Sequence, residues 1–162
     1  MIRMKKGVIF DLDGVLVSTD EFHYRSWQRL CDEEGFSFFD HNFNHQFRGV
    51  ARFKCVEILL TAAGKHATKQ LVHEIAERKN NYFIELLENV TDNELLPGSK
   101  HMLAELQKLG VKIAVASNSR NAKMIIEKVG IGEKEYLPNA PVLVKNLSEI
   151  TAGELLNLSK IR

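Results

Sequence analysis

Short apolar runs that end in polar residues predict the strands of this chain. Residues 7–13 (GVIFDLD) and 111–117 (VKIAVAS) each contain a continuous run that favours β-structure. Residues 141–145 (PVLVK) form a third candidate. Continuous rather than alternating runs are typical of parallel strands that are covered on both faces. The pattern therefore predicts three buried, parallel strands.

Helical patterning fills the sequence between and after these runs. The predicted helices lie at about 20–34, 51–63, 68–89, 99–110, 121–129 and 147–159. Several of them stop at a glycine, which is the residue most common just past a helix C-terminus. The order of strand, several helices, strand, helix, strand and helix predicts a parallel sheet with right-handed crossovers.

The long helical stretch between the first two strands predicts an inserted domain. We expect an α/β fold in which a Rossmann-like parallel sheet, with fewer strands than usual, carries an all-helical cap. The predicted core comprises residues 1–15 and 93–162, and the predicted cap comprises residues 16–92. Ligands of open parallel sheets bind at the carboxyl ends of the strands. The residues after the first two strands are therefore the place to look for chemistry.

Two aspartates follow the first apolar run. Asp11 and Asp13 are spaced so that both carboxylates leave a strand on the same side. Neighbouring negative charges repel, and a hard cation such as Mg²⁺, which binds one or two carboxylates together with phosphate oxygens, would compensate them. Gly14 allows the backbone to turn sharply. The alternative is an ordinary Asp-Gly turn, which is common and needs no ligand.

A second polar segment follows the second strand. Ser117, Asn118 and Ser119 could form a small anion site from hydroxyl, amide and backbone N–H groups. Arg120 adds a guanidinium, which suits bidentate contact with phosphate. The alternative is simple N-capping of the predicted helix at 121–129, because serine and asparagine are favoured capping residues. The two strand-end motifs together indicate an anion site better than either does alone.

Composition and charge restrict the function classes. Lysine and arginine number 22 against 21 aspartates and glutamates, so the net charge of +1 gives no general attraction to nucleic acid or to an anionic membrane. The two cysteines lack CxxC spacing, which favours free thiols in a reducing compartment. No apolar run reaches the roughly 18 residues that a membrane span needs. We expect a cytoplasmic monomer that binds a small molecule.

These motifs carry a family resemblance. The segment from Phe10 to Leu16 (FDLDGVL), with Ser117–Ser119, resembles the signatures of the haloacid dehalogenase-like phosphotransferases. Further segments resemble the β-phosphoglucomutases within that superfamily: TDEFHYRSW at 19–27, FRGVAR at 47–52, RKNN at 78–81, LPG at 96–98 and SNSRNAK at 117–123. The similarity covers residues 6–130 and again 131–158.

The resemblance implies roles for the strand-end residues. Asp11 would be the nucleophile that forms an aspartyl phosphate, and it would also bind Mg²⁺. Asp13 would be the general acid/base, and its backbone carbonyl would bind the same metal ion. Ser117 and Asn118 would hold the phosphate that is transferred. The implied reaction interconverts β-glucose 1-phosphate and glucose 6-phosphate through a bisphosphate.

A bisphosphate needs a second anion site, for which the resemblance implies Arg52 together with Ser119, Arg120 and Asn121. The residues implied to line the cap side are His23, Trp27, Gly49, Val50 and Asn80. Packing explains Trp27 at least as well as sugar contact. Arg48 and Arg52 are spaced to form a basic helix face, which is a solvated surface unless it lies beside a phosphate site.

The family pattern breaks after Ser117. The resemblance predicts a lysine in a Lys-Pro context and an acidic pair after a further strand, and the sequence contains neither. The resemblance, taken with the usual domain size, implies that roughly fifty residues and about three strands of the family pattern are absent between Ile131 and Gly132. An omitted segment, an internal deletion and a distinct shortened protein all explain this. Two alternatives to the mutase therefore stand: a sugar-phosphate phosphatase of the same superfamily, and an impaired homologue that only binds.

Overall fold

The strands of this computed structural model, which describes residues 7–132 and 143–144, form one parallel sheet. They are Gly7–Asp11 (β1), Lys112–Ala116 (β2) and Leu143–Val144 (β3). Both pairings are parallel, and the order in the sheet is β1-β2-β3. The predicted fold class, a Rossmann-like α/β fold with an inserted helical cap, is confirmed.

The helices lie close to their predicted positions. They are Asp20–Glu34 (α1), His41–Asn44 (α2), Arg52–Ala62 (α3), Lys69–Leu87 (α4), Ser99–Lys108 (α5) and Ala122–Lys128 (α6), with short 3₁₀ helices at His45–Phe47 and Asp92–Glu94. The pattern did not predict α2, a single turn that Asp40 caps by accepting a hydrogen bond from the Phe43 amide at 2.7 Å. The predicted helix at 147–159 lies outside the described residues. Within the described residues, no helix is long and apolar enough to cross a membrane.

β1 is less buried than the sequence predicts. Its apolar residues Val8, Ile9 and Phe10 are only half-buried, whereas Ala114 and Val115 in the middle of β2 are buried. Among the described strands β2 has a neighbour on each side, and β1 pairs with β2 alone. The prediction of a fully covered strand is therefore wrong for β1, because an edge strand has a neighbour along one side only.

Two compact units make up the chain. One contains the sheet and comprises the described residues up to Thr19 and from Asn89 onward, and the other is Asp20–Glu88. The segment after β1 belongs with the sheet, because the Leu16 carbonyl accepts hydrogen bonds from the Leu96 amide at 2.9 Å and from the Ser99 hydroxyl at 2.9 Å.

The Asp20–Glu88 unit is entirely helical in its regular structure and has its own apolar core. In α4, Thr68 caps the N-terminus by accepting a hydrogen bond from the Leu71 amide at 3.2 Å. The buried core residues come from α1, α3, α4 and the segment that joins α1 to α3: Trp27, Leu30, Cys31, Phe36, Phe39, Phe47, Cys55, Val56, Leu59, Leu60, Val72, Ile75 and Ala76. Burial of this set is the main stabilising contribution to the unit.

Both cysteines are buried in this unit as free thiols, as predicted. Burial raises the pKa of Cys31 to about 12 and that of Cys55 to about 11. Both thiols therefore stay protonated at neutral pH and act as small apolar side chains rather than as nucleophiles.

The predicted basic face of Arg48 and Arg52 does not form. Gly49 has a φ of +70°, a left-handed conformation that ends the preceding 3₁₀ helix and separates Arg48 from α3. Arg48 pairs with Asp20 at 3.4 Å, and Arg52 pairs with Glu77 at 3.7 Å. A basic face made by two residues four positions apart requires one continuous helix, and Gly49 interrupts the helical backbone between them.

Candidate functional site

A tight turn follows β1 and carries the two aspartates. The strand ends at Asp11, and the Leu12 carbonyl accepts hydrogen bonds from the amides of Leu16 at 3.0 Å and Val17 at 3.1 Å. The Gly14 amide donates to the Val17 carbonyl at 2.7 Å, with Gly14 at a φ of +77°. Residues other than glycine rarely adopt this conformation. The Asp-Gly pair thus makes a turn, and the turn presents the acids at the end of a strand.

Asp11 is exposed at the tip of β1. Its Oδ1 atom accepts a hydrogen bond from the Leu12 amide at 2.7 Å. This bond restrains the orientation of the carboxylate. An accessible, oriented carboxylate has the features that a nucleophile or a metal ligand needs.

Asp13 is held by a residue whose role the sequence did not indicate. Its Oδ1 atom accepts a hydrogen bond from the Thr19 hydroxyl at 2.6 Å. Thr19 is fully buried, with 1% of its surface exposed, so its hydroxyl has a fixed place. From sequence, Thr19 is one of several candidates for capping α1. Only the fold of the turn from Asp13 to Thr19 brings the two side chains into contact.

The register of the sheet brings the two strand-end motifs to one edge. The α-carbon of Asp11 is paired with that of Ala116, so β1 and β2 end level with each other. Ser117 follows directly and is 7% exposed. The Asp11–Asp13 turn and the Ser117 segment therefore leave the sheet side by side, at the carboxyl edge where open parallel sheets bind ligands.

The segment after β2 is a hydrogen-bonded turn rather than the start of a helix. The Ser117 hydroxyl accepts from the Ser119 amide at 3.1 Å, and the Ser119 hydroxyl accepts from the Asn121 amide at 3.2 Å. The helix α6 begins only at Ala122. Asn118 and Arg120 are exposed on this turn. The serine hydroxyls thus bond within the turn that precedes α6, and no side chain caps α6 at Asn121.

The turn that carries Asp11 and Asp13 has a donor set that fits Mg²⁺, an ion that needs few protein ligands. Mg²⁺ in phosphoryl-transfer sites uses one or two carboxylates, with water and phosphate oxygens completing its shell. The exposed Asp11 carboxylate is suited to such an ion, and Asp13 is close enough in sequence to supply a further oxygen. Within residues 7–132, no group of three or more histidine, cysteine or acidic side chains could hold a metal.

His23 and Asn80 lie in the helical unit. His23, on α1, stacks on Phe83 with 4.0 Å between ring centroids. Its Nδ1 atom lies 2.8 Å from the Nζ atom of Lys79, a buried lysine on α4 that was not among the predicted site residues. Asn80 is the next residue on α4 and is 8% exposed. The sequence does contain a signal for the burial of Lys79, because this residue lies one helical turn from the apolar residues Ile75 and Phe83.

Trp27, Gly49 and Val50 fit structural roles in the same unit. Trp27 is 4% exposed and packs against Phe47 with 5.0 Å between ring centroids. Gly49 supplies the left-handed turn before α3, and the Val50 carbonyl accepts from the Cys55 thiol at 3.5 Å. Packing therefore accounts for the position of Trp27 without a ligand.

Comparison with known proteins gives consistent matches. A family model described as haloacid dehalogenase-like hydrolase matches residues 5–140. The β-phosphoglucomutase of Bacillus subtilis is 34% identical over 128 residues, which is 78% of this chain and 56% of the relative. A phosphorylated carbohydrates phosphatase of Thermotoga maritima is 26% identical over 115 residues, covering 70% of this chain and 50% of the relative.

Solved structures extend the likeness to the fold. The β-phosphoglucomutase of Clostridium difficile superposes with a TM-score of 0.74 at 28% identity, covering 96% of this chain and 70% of that protein. The chain spans about half the length of the curated relatives it matches. Nearly all of this chain thus has a counterpart in the matched structure, and part of the matched structure has none here.

Proposed function

Because the chain belongs to the haloacid dehalogenase-like hydrolase family, we propose that it is a phosphotransferase acting on sugar phosphates. The specific reaction we propose is the interconversion of β-glucose 1-phosphate and glucose 6-phosphate. The observation that carries the proposal is the shared sheet edge, where Asp11 is level with Ala116 and the Asp13 turn leaves beside Ser117. The matches to β-phosphoglucomutases support the choice of sugar.

The chemistry we assign to Asp11 is nucleophilic. An oxygen of its carboxylate attacks phosphorus, a bond forms between the two, and the bond from phosphorus to the sugar oxygen breaks. The Leu12 amide, 2.7 Å from Oδ1, holds the carboxylate for this attack. Phosphoryl transfer demands mainly positioning and charge neutralisation, and a fixed carboxylate supplies the first of these.

Asp13 is the residue that we assign to proton transfer. It protonates the departing sugar oxygen, and it takes a proton from the sugar hydroxyl that later receives the phosphoryl group. The Thr19 hydroxyl at 2.6 Å keeps its carboxylate in one orientation. A bound Mg²⁺ would neutralise the negative charge that nucleophile and phosphate share. Ser117 and Asn118 are assigned to the transferring phosphate.

Arg52 is our candidate for the second phosphate of the bisphosphate, with Ser119, Arg120 and Asn121 as further candidates. A guanidinium suits this role because it donates two parallel hydrogen bonds to phosphate oxygens. Arg52 is partly buried beside Glu77 on α4, 3.7 Å away, so its position is restrained. A mutase needs such a second anion site, whereas simple hydrolysis of one phosphate ester does not.

The proposal is tested by following both products in one assay. The full chain is incubated with β-glucose 1-phosphate, a trace of the 1,6-bisphosphate and Mg²⁺, and glucose 6-phosphate and inorganic phosphate are measured separately. We expect glucose 6-phosphate to form faster than inorganic phosphate, and chelation of the metal to abolish both. Inorganic phosphate as the sole product would replace the mutase with the phosphatase, which the Thermotoga maritima relative favours.

Removing the Thr19 hydroxyl tests the role of Asp13. We expect Thr19→Val to lower kcat about tenfold or more with KM little changed, because a hydrogen bond to a charged group is worth about 1.5–3 kcal/mol. Steady-state kinetics on the same assay measure this. The matched control is Thr19→Ser, which keeps the hydroxyl and should retain most of the activity. Equal losses in the two variants would contradict the assignment.

A further inference from the structure

Lys79 and His23 form a basic pair inside the helical unit, in which Lys79 is buried and His23 is half-buried. Lys79 is 3% exposed, and its Nζ atom is 2.8 Å from His23 Nδ1. The rings of Trp27 and Phe83 lie beside the same nitrogen, with centroids 5.0 Å and 4.8 Å away. The pair joins α1 to α4 beside these two rings.

The N–H···N bond limits how many protons the pair can hold. An ammonium group and an imidazolium ring both donate hydrogen bonds and offer no lone pair. The contact at 2.8 Å therefore requires at least one of the two groups to be neutral. Adding the last proton would place two donors and two positive charges against each other in a buried space, which is costly.

The surrounding groups do not remove this cost. From α3, Arg52 adds a further positive charge and Cys55 adds a thiol whose pKa burial raises to about 11. From α4, Glu77 pairs with Arg52 at 3.7 Å and offsets part of its charge. The faces of Trp27 and Phe83 attract an ammonium, but such contacts offset only part of the cost of burying a charge.

We propose that the Lys79–His23 pair makes the helical unit proton-sensitive, so that adding a proton to the pair weakens the packing of α1 on α4. The unit is then most stable at alkaline pH and loosens as the pH falls. This inference concerns the folding of the helical unit and does not depend on the proposed reaction.

The direction of the pH dependence agrees with the buried environment. Burial, followed by repulsion from Arg52, lowers the pKa of Lys79 from 10.5 to about 7. Burial, followed by Lys79 and Arg52, lowers the pKa of His23 well below 6.5. Between the two pKa values of Lys79 the unfolded chain binds more protons than the folded one, so the free energy of unfolding falls as the pH falls. The loss caused by Lys79 is small above pH 10.5 and complete below about pH 7. His23 adds a further loss below pH 6.5.

Equilibrium unfolding across pH tests the proposal on the full chain. Trp27 is the single tryptophan of the sequence and lies beside Lys79, so its fluorescence reports on this unit. The variants are Lys79→Met, which replaces the amine with an apolar chain, and Lys69→Met, an exposed lysine of the same helix. Urea unfolding between about pH 8 and 9.5 gives the unfolding constant of each.

The expected result is a difference in slope. In the wild type and Lys69→Met, the unfolding constant should fall as the pH rises. The fall per pH unit should be about tenfold greater than in Lys79→Met, since one proton is involved. A merely structural role would shift the constant by the same factor at every pH. Equal slopes in the two variants would overturn the proposal.

A measurement on the wild type covers the case in which Lys79→Met does not fold. The proposal expects one lysine side chain to titrate near neutral pH when the lysine Cε resonances are followed by ¹³C NMR. His23→Gln, which removes the imidazole, should move that titration upward. Lysines that all titrate near their ordinary value would overturn the proposal.

Discussion

Replacing Asp11 with asparagine should abolish phosphoryl transfer. The variant Asp11→Asn keeps the size of the side chain but loses the negative oxygen that we assign to attack phosphorus. We expect a loss of at least ~10³-fold in kcat, comparable to the removal of other catalytic nucleophiles. The exposed carboxylate at the tip of β1 and its 2.7 Å bond from the Leu12 amide are the structural basis.

The measurement combines turnover with trapping of the covalent intermediate. The chain is mixed with labelled phosphodonor and quenched, and acyl phosphate is identified by its release with hydroxylamine. The wild type should carry label and Asp11→Asn should carry none. Asp32→Asn is the matched control, because Asp32 is an exposed aspartate on α1. Retention of more than a tenth of the activity by Asp11→Asn would contradict the assignment of the nucleophile.

A second substitution at this position separates an enzyme from a protein that only binds. A binder would hold a phosphosugar with similar affinity after Asp11→Ala, and the wild type would show no covalent label. An enzyme would lose turnover in that variant while the wild type is labelled. Calorimetry with glucose 6-phosphate, run beside the trapping assay, distinguishes these outcomes.

Removing the Phe83 ring should cause a large loss in the free energy of unfolding. Phe83 is 1% exposed on α4, and its ring contacts both His23, at 4.0 Å between centroids, and the Lys79 Nζ atom at 4.8 Å. Truncation of a buried phenylalanine costs about 3–5 kcal/mol, because transfer energy is lost and a cavity remains. We therefore expect Phe83→Ala to lower the free energy of unfolding by this amount.

Urea unfolding followed by Trp27 fluorescence measures the effect. Phe53→Ala is the matched control, since Phe53 is 45% exposed on α3. We expect it to cost less than about 1 kcal/mol, as surface substitutions do. Phe83→Leu, which fills part of the cavity, should fall between the two. Similar losses for Phe83→Ala and Phe53→Ala would show that burial of the Phe83 ring does not stabilise the protein.

The order of elements could be predicted because each depends on local signals. Apolar runs at 7–13 and 111–117 gave β1 and β2, and periodic apolar positions gave the longer helices. Asp11, Asp13 and Ser117 could be found because parallel strands end at one edge of a sheet, whatever the details of packing. The short helix α2 was missed because four residues carry no detectable period.

Other features depended on contacts that no local pattern contains. The half-buried state of β1 follows from its place at the edge of the described sheet, not from its apolar run. The left-handed Gly49 separated Arg48 from Arg52, although their spacing matched a helix face. Each error came from assuming the surroundings of a residue from its neighbours in sequence.

Charge, hydrogen-bonding capacity and backbone preference belong to the residues themselves. The amino-acid sequence therefore indicates which residues could do chemistry and in which order the strands and helices occur. Which of these residues contact each other depends on how the chain folds. The Thr19 hydroxyl donates a hydrogen bond to Asp13 because a turn brings them together. Lys79 contacts His23 because α4 packs against α1. Burial and the proximity of another group set the protonation and orientation of a side chain, and both arise only when the chain folds.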